Sequence, residues 1–312
     1  MNFTLRILGT ASAMPVTGKY QSAHVLDVHG RSFLIDCGEA VQQQMLRYRI
    51  PIMKVDSIFL SHIHGDHLFG LFPLLSTMGM LSRSVPLNIY APNSFGPVLK
   101  FFLSYYGAGL NFEIRFTPLT MKEPEVILST KSVEVLSFPL NHGLDTYGFL
   151  FREKEPQFNV RKDAISEYCL TLTEIGTLKR GEDVIREDGS MVKASEAAYK
   201  PYSPRSYAYV SDTAPFPELS SWVKSVDLLY HEATYVQEFA DKAAARHHST
   251  TLQAAAVAKE AGVGQLVVGH YSSRCKDISL FEKECKSIFP ASHAASDGDL
   301  FDLPMKDFQG RK

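Results

Sequence analysis

The sequence predicts a mixed α/β protein in which strands and helices alternate along most of the chain, and three observations carry that prediction. Short apolar runs bounded by Gly, Pro and polar residues recur from Phe3 to Val268. Segments with helical spacing stand between several of them, and a dense histidine cluster follows directly on one apolar run. With 312 residues, 45% of them hydrophobic, the chain is long and apolar enough to bury a sizeable core, and it reads as one domain over residues 1–312.

The elements follow in order. Phe3 to Leu8, Ser22 to Val28 and Phe33 to Ile35 read as strands separated by turn residues. Glu39 to Tyr48 has helical spacing and stops before Pro51, which cannot continue a helix. A strand at Ser57 to Leu60 leads into the histidine cluster, and an apolar stretch runs from Leu68 to Leu81. Leu87 to Tyr90, Phe112 to Phe116, Val133 to Phe138 and Tyr147 to Phe151 continue as strands, with a helix at Ser94 to Tyr105. Tyr207 to Val210 and Val226 to Tyr230 are strands, Thr251 to Ala261 is an Ala-rich helix, and Gln265 to Val268 is a buried strand. The tail from Lys306 to Lys312 is expected to fray.

Arg152 to Pro204 breaks this pattern. It is rich in Lys, Arg, Asp and Glu, carries turn signals at Gly181 and Asp188-Gly189, and has few aliphatic residues in periodic array. It reads as an insertion projecting from the core, either a solvated surface excursion or a recognition arm. A formal net charge of -2 excludes a protein that coats nucleic acid by bulk electrostatics, while leaving a local basic surface or a bound metal able to handle phosphates. Cys37, Cys169, Cys275 and Cys285 show no C-x-x-C spacing and read as lone thiols. No run of about 18 apolar residues is present, so no membrane span is expected. Met1 to Gly9 reads as a strand rather than a leader, which points to the cytoplasm.

The chemistry concentrates in Ser61-His62-Ile63-His64-Gly65-Asp66-His67, directly after a strand. Three imidazoles and a carboxylate on a loop between strand and helix can converge on a small volume, and nitrogen and carboxylate donors suit divalent ions such as zinc. The spacing lets His62 and His64 share one ion while Asp66 and His67 serve another. Two ions need more donors than one loop supplies. His142, Asp212 and His270 each stand where a predicted core strand runs out. The assignment is then His62, His64 and His142 on one ion, Asp66, His67 and His270 on the other, with Asp212 bridging. Open positions remain on both ions, as hydrolysis requires, whereas structural zinc would be closed by four protein ligands. His248 is the candidate general acid for the leaving alkoxide, Glu232 its orienting carboxylate, and His231 an outer supporting group. His24, His29, His247 and His293 lack comparable context and read as structural or surface residues.

Taken together and in this order, these motifs resemble the ribonuclease Z family of the metallo-β-lactamase superfamily. Ile7-Leu8-Gly9-Thr10, Leu34-Ile35-Asp36-Cys37-Gly38-Glu39 and Ser61 through Gly70 resemble its first signatures. Pro139-Leu140-Asn141-His142-Gly143, Ser211-Asp212-Thr213, His231-Glu232-Ala233-Thr234, His248-Ser249-Thr250 and Gly269-His270-Tyr271-Ser272 resemble the later ones. The resemblance implies an αβ/βα four-layer sandwich, often a homodimer, that uses two divalent ions, zinc or another such as manganese, to cut precursor tRNA after the discriminator nucleotide and leave a 3′-hydroxyl. It also implies that Asp66 helps position the attacking water and that residues 152–204 form the arm gripping the tRNA elbow. Two departures stand out: Pro15 to Ser22 lacks the Arg-Asn pair common in the family, and the arm has Thr173 to Leu178 where a Gly-Pro element is usual. A small-molecule or cyclic-nucleotide phosphodiesterase of the same fold, and a non-catalytic RNA-binding protein, are the competing expectations.

Overall fold

A computed structural model describes residues 2–306 of the chain, and in it the expected alternation resolves into two seven-stranded sheets. The first sheet is built from β1 (Phe3–Gly9), β2 (Ala23–Val28) and β3 (Arg31–Ile35), then helix α1 (Val41–Arg47), β4 (Val55–Phe59), helices α2 (Gly65–Leu68) and α3 (Leu71–Met80), β5 (Leu87–Pro92), α4 (Phe95–Tyr106) and β6 (Ile114–Leu119). The chain then crosses to the second sheet through β7 (Glu125–Ser129), β8 (Val133–Asn141) and β9 (Asp145–Glu153).

Between β9 and the next core strand lie the short elements β10 (Asn159–Val160), α5 (Lys162–Glu167), α6 (Leu172–Lys179), β11 (Val184–Ile185), β12 (Met191–Val192), α7 (Ala194–Ala197) and β13 (Ala198–Tyr199). The second sheet resumes with β14 (Ser206–Val210), α8 (Leu219–Trp222), β15 (Leu228–Glu232), α9 (Ala240–Ala245), α10 (Thr251–Ala261), β16 (Gln265–Gly269), α11 (Ile278–Ile288) and β17 (Ser292–Ala294). Finally β18 (Leu300–Asp302) returns to pair with β1 at the edge of the first sheet.

Period-two alternation decides the layers. Phe3, Leu5 and Ile7 of β1, Phe33 and Ile35 of β3 and Val267 of β16 point into the space between the sheets. Leu8 and Leu34 point outward against α1, α3 and α4, while Leu266 and Val268 point outward against α8, α10 and α11. Both faces of each sheet are therefore covered, which explains why these strands read as continuous apolar runs and gives a helix-sheet-sheet-helix sandwich. Within each sheet the parallel set is β3-β4-β5-β6 or β14-β15-β16-β17, and the carboxyl ends of these strands carry most of the candidate side chains.

The segment between β9 and β14 has a small apolar core of its own, with Ala164, Leu178, Val184, Val192 and Ala197 buried in it. It is folded rather than simply solvated, and α6 begins with a capping box made by Thr171 and Glu174. At its root, the buried Arg205 donates from Nε and Nη2 to both carboxylate oxygens of the buried Glu153, at 2.9 and 2.6 Å. Strands β7, β17 and β18 and helix α11 were not predicted from the sequence. The strands are short or exposed, and α11 buries Phe281 and Cys285 on an otherwise polar surface. No helix among the described residues is long and apolar enough to cross a membrane. Most of the tail expected to fray, residues 307–312, lies outside the described residues; Lys306 bridges to Ser203.

Candidate active site and metal centre

All the candidate side chains except His231 converge at one end of the sandwich. His62 and His64 lie in the loop after β4, and Asp66 and His67 lie on α2. His142 follows β8, Asp212 follows β14, Glu232 ends β15, His270 follows β16, and His248 precedes α10. The turn between α2 and α3 is pressed against the segment after β3: a Cβ at Gly70 would stand 2.0 Å from the Gly38 carbonyl oxygen, so only glycine allows this approach.

The arrangement around Asp212 is the most informative geometry. Its side chain is buried, with Oδ2 facing His142 Nε2 at 3.5 Å and His62 Nε2 at 3.7 Å. Oδ1 faces His270 Nε2 at 3.4 Å and His67 Nε2 at 3.6 Å, and makes no hydrogen bond among the described residues. Each oxygen thus faces a separate pair of imidazole nitrogens. Ligand atoms of His62, His64, His142 and Asp212 lie within 4.8 Å of one another, and so do those of Asp66, His67 and His270. A buried carboxylate oxygen without a donor, set among nitrogen and oxygen ligands, fits divalent cations. Burial opposes a charge on His67, yet Asp212, Asp66 and Asp36 together push its pKa up to about 10. Carboxylates that demand positive charge so strongly suit a metal ion, which would replace that proton.

The far sides of four of the rings, His62, His67, His142 and His270, are pinned so that Nε2 faces inward, while His64 turns Nδ1 toward His62 Nε2 at 3.1 Å. His67 Nδ1 donates to Asp36 Oδ2 at 2.7 Å, and the same oxygen accepts from the Tyr209 hydroxyl at 2.6 Å and the Ser61 hydroxyl at 2.8 Å. Ser61 Oγ in turn contacts His62 Nδ1 at 2.9 Å. His142 Nδ1 donates to the His247 carbonyl at 2.9 Å, and His270 Nδ1 meets Thr234 Oγ1 at 2.8 Å. Outer hydrogen bonds of this kind fix the tautomer and aim of metal-binding histidines.

Next to this cluster, His248 Nδ1 contacts Glu232 Oε1 at 3.0 Å. Glu232 is wholly buried, and its two oxygens also accept from the backbone N–H groups of Thr213, Thr234 and Ser249 and from the Thr234 hydroxyl. Burial alone would raise the Glu232 pKa, but the facing His248 and these donors hold it down to about 2. Burial would likewise lower the pKa of His248, and Glu232 instead pushes it up to about 9. A protonated imidazole held by a charged partner is equipped to give a proton. The cleft over these groups measures about 840 Å³ and is rimmed by Arg246, Arg274, Tyr235 and Ser272.

With this geometry in view, similarity to known proteins narrows the assignment. A curated ribonuclease Z from Cytophaga hutchinsonii is 43% identical over 303 residues, covering 96% of each chain. The chain belongs to the ribonuclease Z family. Ribonuclease Z from Bacteroides thetaiotaomicron is 38% identical and covers 92% of the chain. The crystal structure of human tRNase Z, short form, matches with a TM-score of 0.69 at 23% identity, covering 96% of this chain and 99% of that one. The metallo-β-lactamase fold protein YhfI from Bacillus subtilis matches at 0.69 and 19% identity, covering 97% and 100%. The fold is therefore the metallo-β-lactamase fold. A family model described as anti-Pycsar protein Apyc1 also matches, over residues 3–171. That span holds the loop after β4 and His142 but ends before Asp212, Glu232, His248 and His270, which the full-length ribonuclease Z similarity includes.

One expected member of the ribonuclease Z site stands apart. Successive residues of a strand point to opposite faces, so Glu232 faces the cleft while His231, one residue earlier on β15, turns away and lies buried with Nδ1 2.6 Å from the Glu232 carbonyl oxygen. Other contributors were not assigned roles from the sequence: Asp36, Ser61, Tyr209, Thr234 and the His247 carbonyl. Asp36 sat in a quoted signature, and its position at a strand end was the available signal. His24 is buried beside Tyr207, 2.9 Å from its hydroxyl, as a structural residue would be.

Proposed function

We propose that this ribonuclease Z family member is an endoribonuclease that removes 3′ trailers from precursor tRNA by two-metal phosphodiester hydrolysis, leaving a 3′-hydroxyl on the tRNA. The observation that carries the reading is Asp212, whose two oxygens each face a separate pair of imidazole nitrogens beside the Glu232–His248 pair. In this reading His62, His64 and His142 would hold one cation, Asp66, His67 and His270 would hold the other, and Asp212 would serve both. Zinc suits these nitrogen and oxygen donors, as do manganese and other divalent ions. Two divalent cations, when bound, lower the pKa of water toward neutrality and offset charge gathering on the phosphoryl oxygens.

The remaining steps belong to the protein's own groups. Asp66, which lines the cleft, orients the water that attacks phosphorus. As the bond from phosphorus to the tRNA 3′ oxygen breaks, His248 delivers a proton to that oxygen, and the phosphate stays on the trailer. Glu232 holds the imidazole by Nδ1, which leaves Nε2 to transfer the proton. Thr234 ties Glu232, His248 and His270 into one network. His231, turned away from the cleft, supports this strand end through its hydrogen bond to the Glu232 carbonyl.

Residues 152–204 are assigned to gripping tRNA away from the cut. Support comes from a groove of about 890 Å³ on this segment, lined by Lys162, Lys179, Ile175 and Tyr199 together with Glu196 and with Arg161, which pairs with Asp163. The ammonium groups of Lys162 and Lys179 have no ion-pair partner among the described residues. A homodimer is assigned to the apolar face of α3 and α4, where Met80, Phe101, Tyr105 and Tyr106 are 63–75% exposed. The substrate places the enzyme in the cytoplasm.

Incubating the metal-loaded protein with an in vitro transcribed precursor tRNA and, in parallel, with a small chromogenic phosphodiester tests the reading. Release of the trailer supports it. Hydrolysis of the small diester without trailer release contradicts it and favours a small-molecule phosphodiesterase.

A further inference from the structure

A second, smaller cavity of about 300 Å³ adjoins the candidate metal centre, lined by Pro15, Gln21, Glu39, Phe69 and, from α2, Gly65 and Asp66. Gly65 and Asp66 also line the larger cleft, so a group in the small cavity sits immediately beside the reacting phosphodiester. Its volume is at the low end of ligand sites and suits one planar ring system rather than a stretch of chain.

The lining is unusual in three respects. Phe69 is 56% exposed although it stands beside a buried cluster, and its ring packs over Gly65, where a Cβ would come within 2.4 Å of it. Gln21 is only 8% exposed, yet its carboxamide makes no hydrogen bond among the described residues. The Glu39 side chain is exposed and has neither an ion pair nor a hydrogen bond there. The floor is firm, because a Cβ on Gly38 would stand 2.7 Å from both the Asp66 carbonyl oxygen and the Gln21 Cβ. Apart from Asp66, none of these side chains takes part in holding metal or moving the proton.

Resting on the functional reading above, we propose that this cavity is a base-recognition subsite. It receives a nucleobase flanking the scissile bond, stacked on Phe69 with its amino group directed at Gln21 and Glu39. Exposed aromatic rings are the usual platforms for unstacked RNA bases. A carboxylate only accepts hydrogen bonds and repels phosphate, so Glu39 selects a base edge that donates, while the Gln21 carboxamide can accept and donate at once. Adenine, cytosine and guanine offer such an amino group on the Watson–Crick edge. Uracil places carbonyl oxygens on either side of its single N–H and meets Glu39 with like polarity. The subsite therefore favours an amino-bearing base over uracil.

The test uses the metal-loaded full chain and precursor tRNAs that carry A, C or U at each of the two nucleotides flanking the cut. At one of these positions, kcat/KM for A or C should exceed that for U by at least about fivefold, the lower range for one good base contact. Glu39→Gln, which can donate as well as accept, should shrink that ratio to about twofold or less. Phe69→Ala should raise KM for precursor by about five- to 100-fold with kcat little changed, and Phe69→Trp should restore it, as stacking requires. Melting temperatures of the variants separate these effects from a loss of fold. Equal rates for A, C and U at both positions would overturn the inference, as would an unchanged KM in Phe69→Ala or a failure of Phe69→Trp to restore it. Cleavage without base preference overturns this inference alone. Cleavage of no precursor at all overturns the functional reading, and this inference with it.

Discussion

The metal centre and the inserted segment are built on opposite plans. Around the metal centre nearly every polar side chain is buried and has two or more partners: Asp36 accepts from His67, Tyr209 and Ser61, and Glu232 accepts from five donors on four residues. In the segment between β9 and β14, charged groups are exposed and pair locally, as Arg180 does with Glu182 and Lys193 with Glu196. Chemistry on a phosphodiester needs donors fixed before the substrate arrives, so strand ends and a packed core set them. In the proposed reading this segment is a surface for RNA, which needs reach and charge, and local ion pairs in water add little to stability. The first plan should therefore respond steeply to single substitutions, and the second shallowly.

The largest effect is expected at Asp212. Asp212→Ala should leave fewer than two metal ions per chain by elemental analysis and lower trailer cleavage by about 10³-fold or more, the scale of losing preorganised charge stabilisation. Full metal content in this variant would remove Asp212 from its bridging role. His248→Ala should keep its metals and lose about 10²- to 10³-fold in single-turnover rate. A loss below about tenfold would mean that another group donates the proton.

A step further out, Asp36→Asn should weaken metal binding about 10- to 100-fold in competition with a chromophoric chelator, because the neutral amide turns one of the two acceptor oxygens that serve His67, Tyr209 and Ser61 into a donor and removes the charge that holds the His67 tautomer. Unaltered affinity would reduce the outer network to packing. Smallest of all, Lys162→Ala and Lys179→Ala on the inserted segment should each raise KM a few-fold for every precursor alike and lower the salt dependence of binding by about one counterion. If either abolished cleavage, the contrast between the two regions would be broken.

The sequence displays these two regions unequally, for the same physical reason. His62 to His67 is legible because four ligands crowd into six positions, and His142, Asp212 and His270 are legible because each follows an apolar run that had to be a strand. The pairing of His248 with Glu232 could be anticipated from chemistry, yet its network through Thr234 could not, since contacts across strand ends leave no periodic trace. His231 shows the limit from the other side. Adjacent residues on a strand diverge, so His231 faces away from the cleft and meets Glu232 only at its backbone carbonyl, which its place in the sequence does not reveal. The small core of the inserted segment was hidden because Ala164, Leu178, Val184 and Val192 come from elements too short for either periodicity to register.

The most direct test of the account is the chemical nature of the ends produced from a precursor tRNA cut by the metal-loaded protein. Attack by a water oriented beside Asp66, with His248 protonating the departing oxygen, predicts a 3′-hydroxyl on the tRNA and a 5′-phosphate on the trailer. A 2′,3′-cyclic phosphate on the tRNA would mean that the ribose hydroxyl, not water, is the nucleophile and would contradict the account.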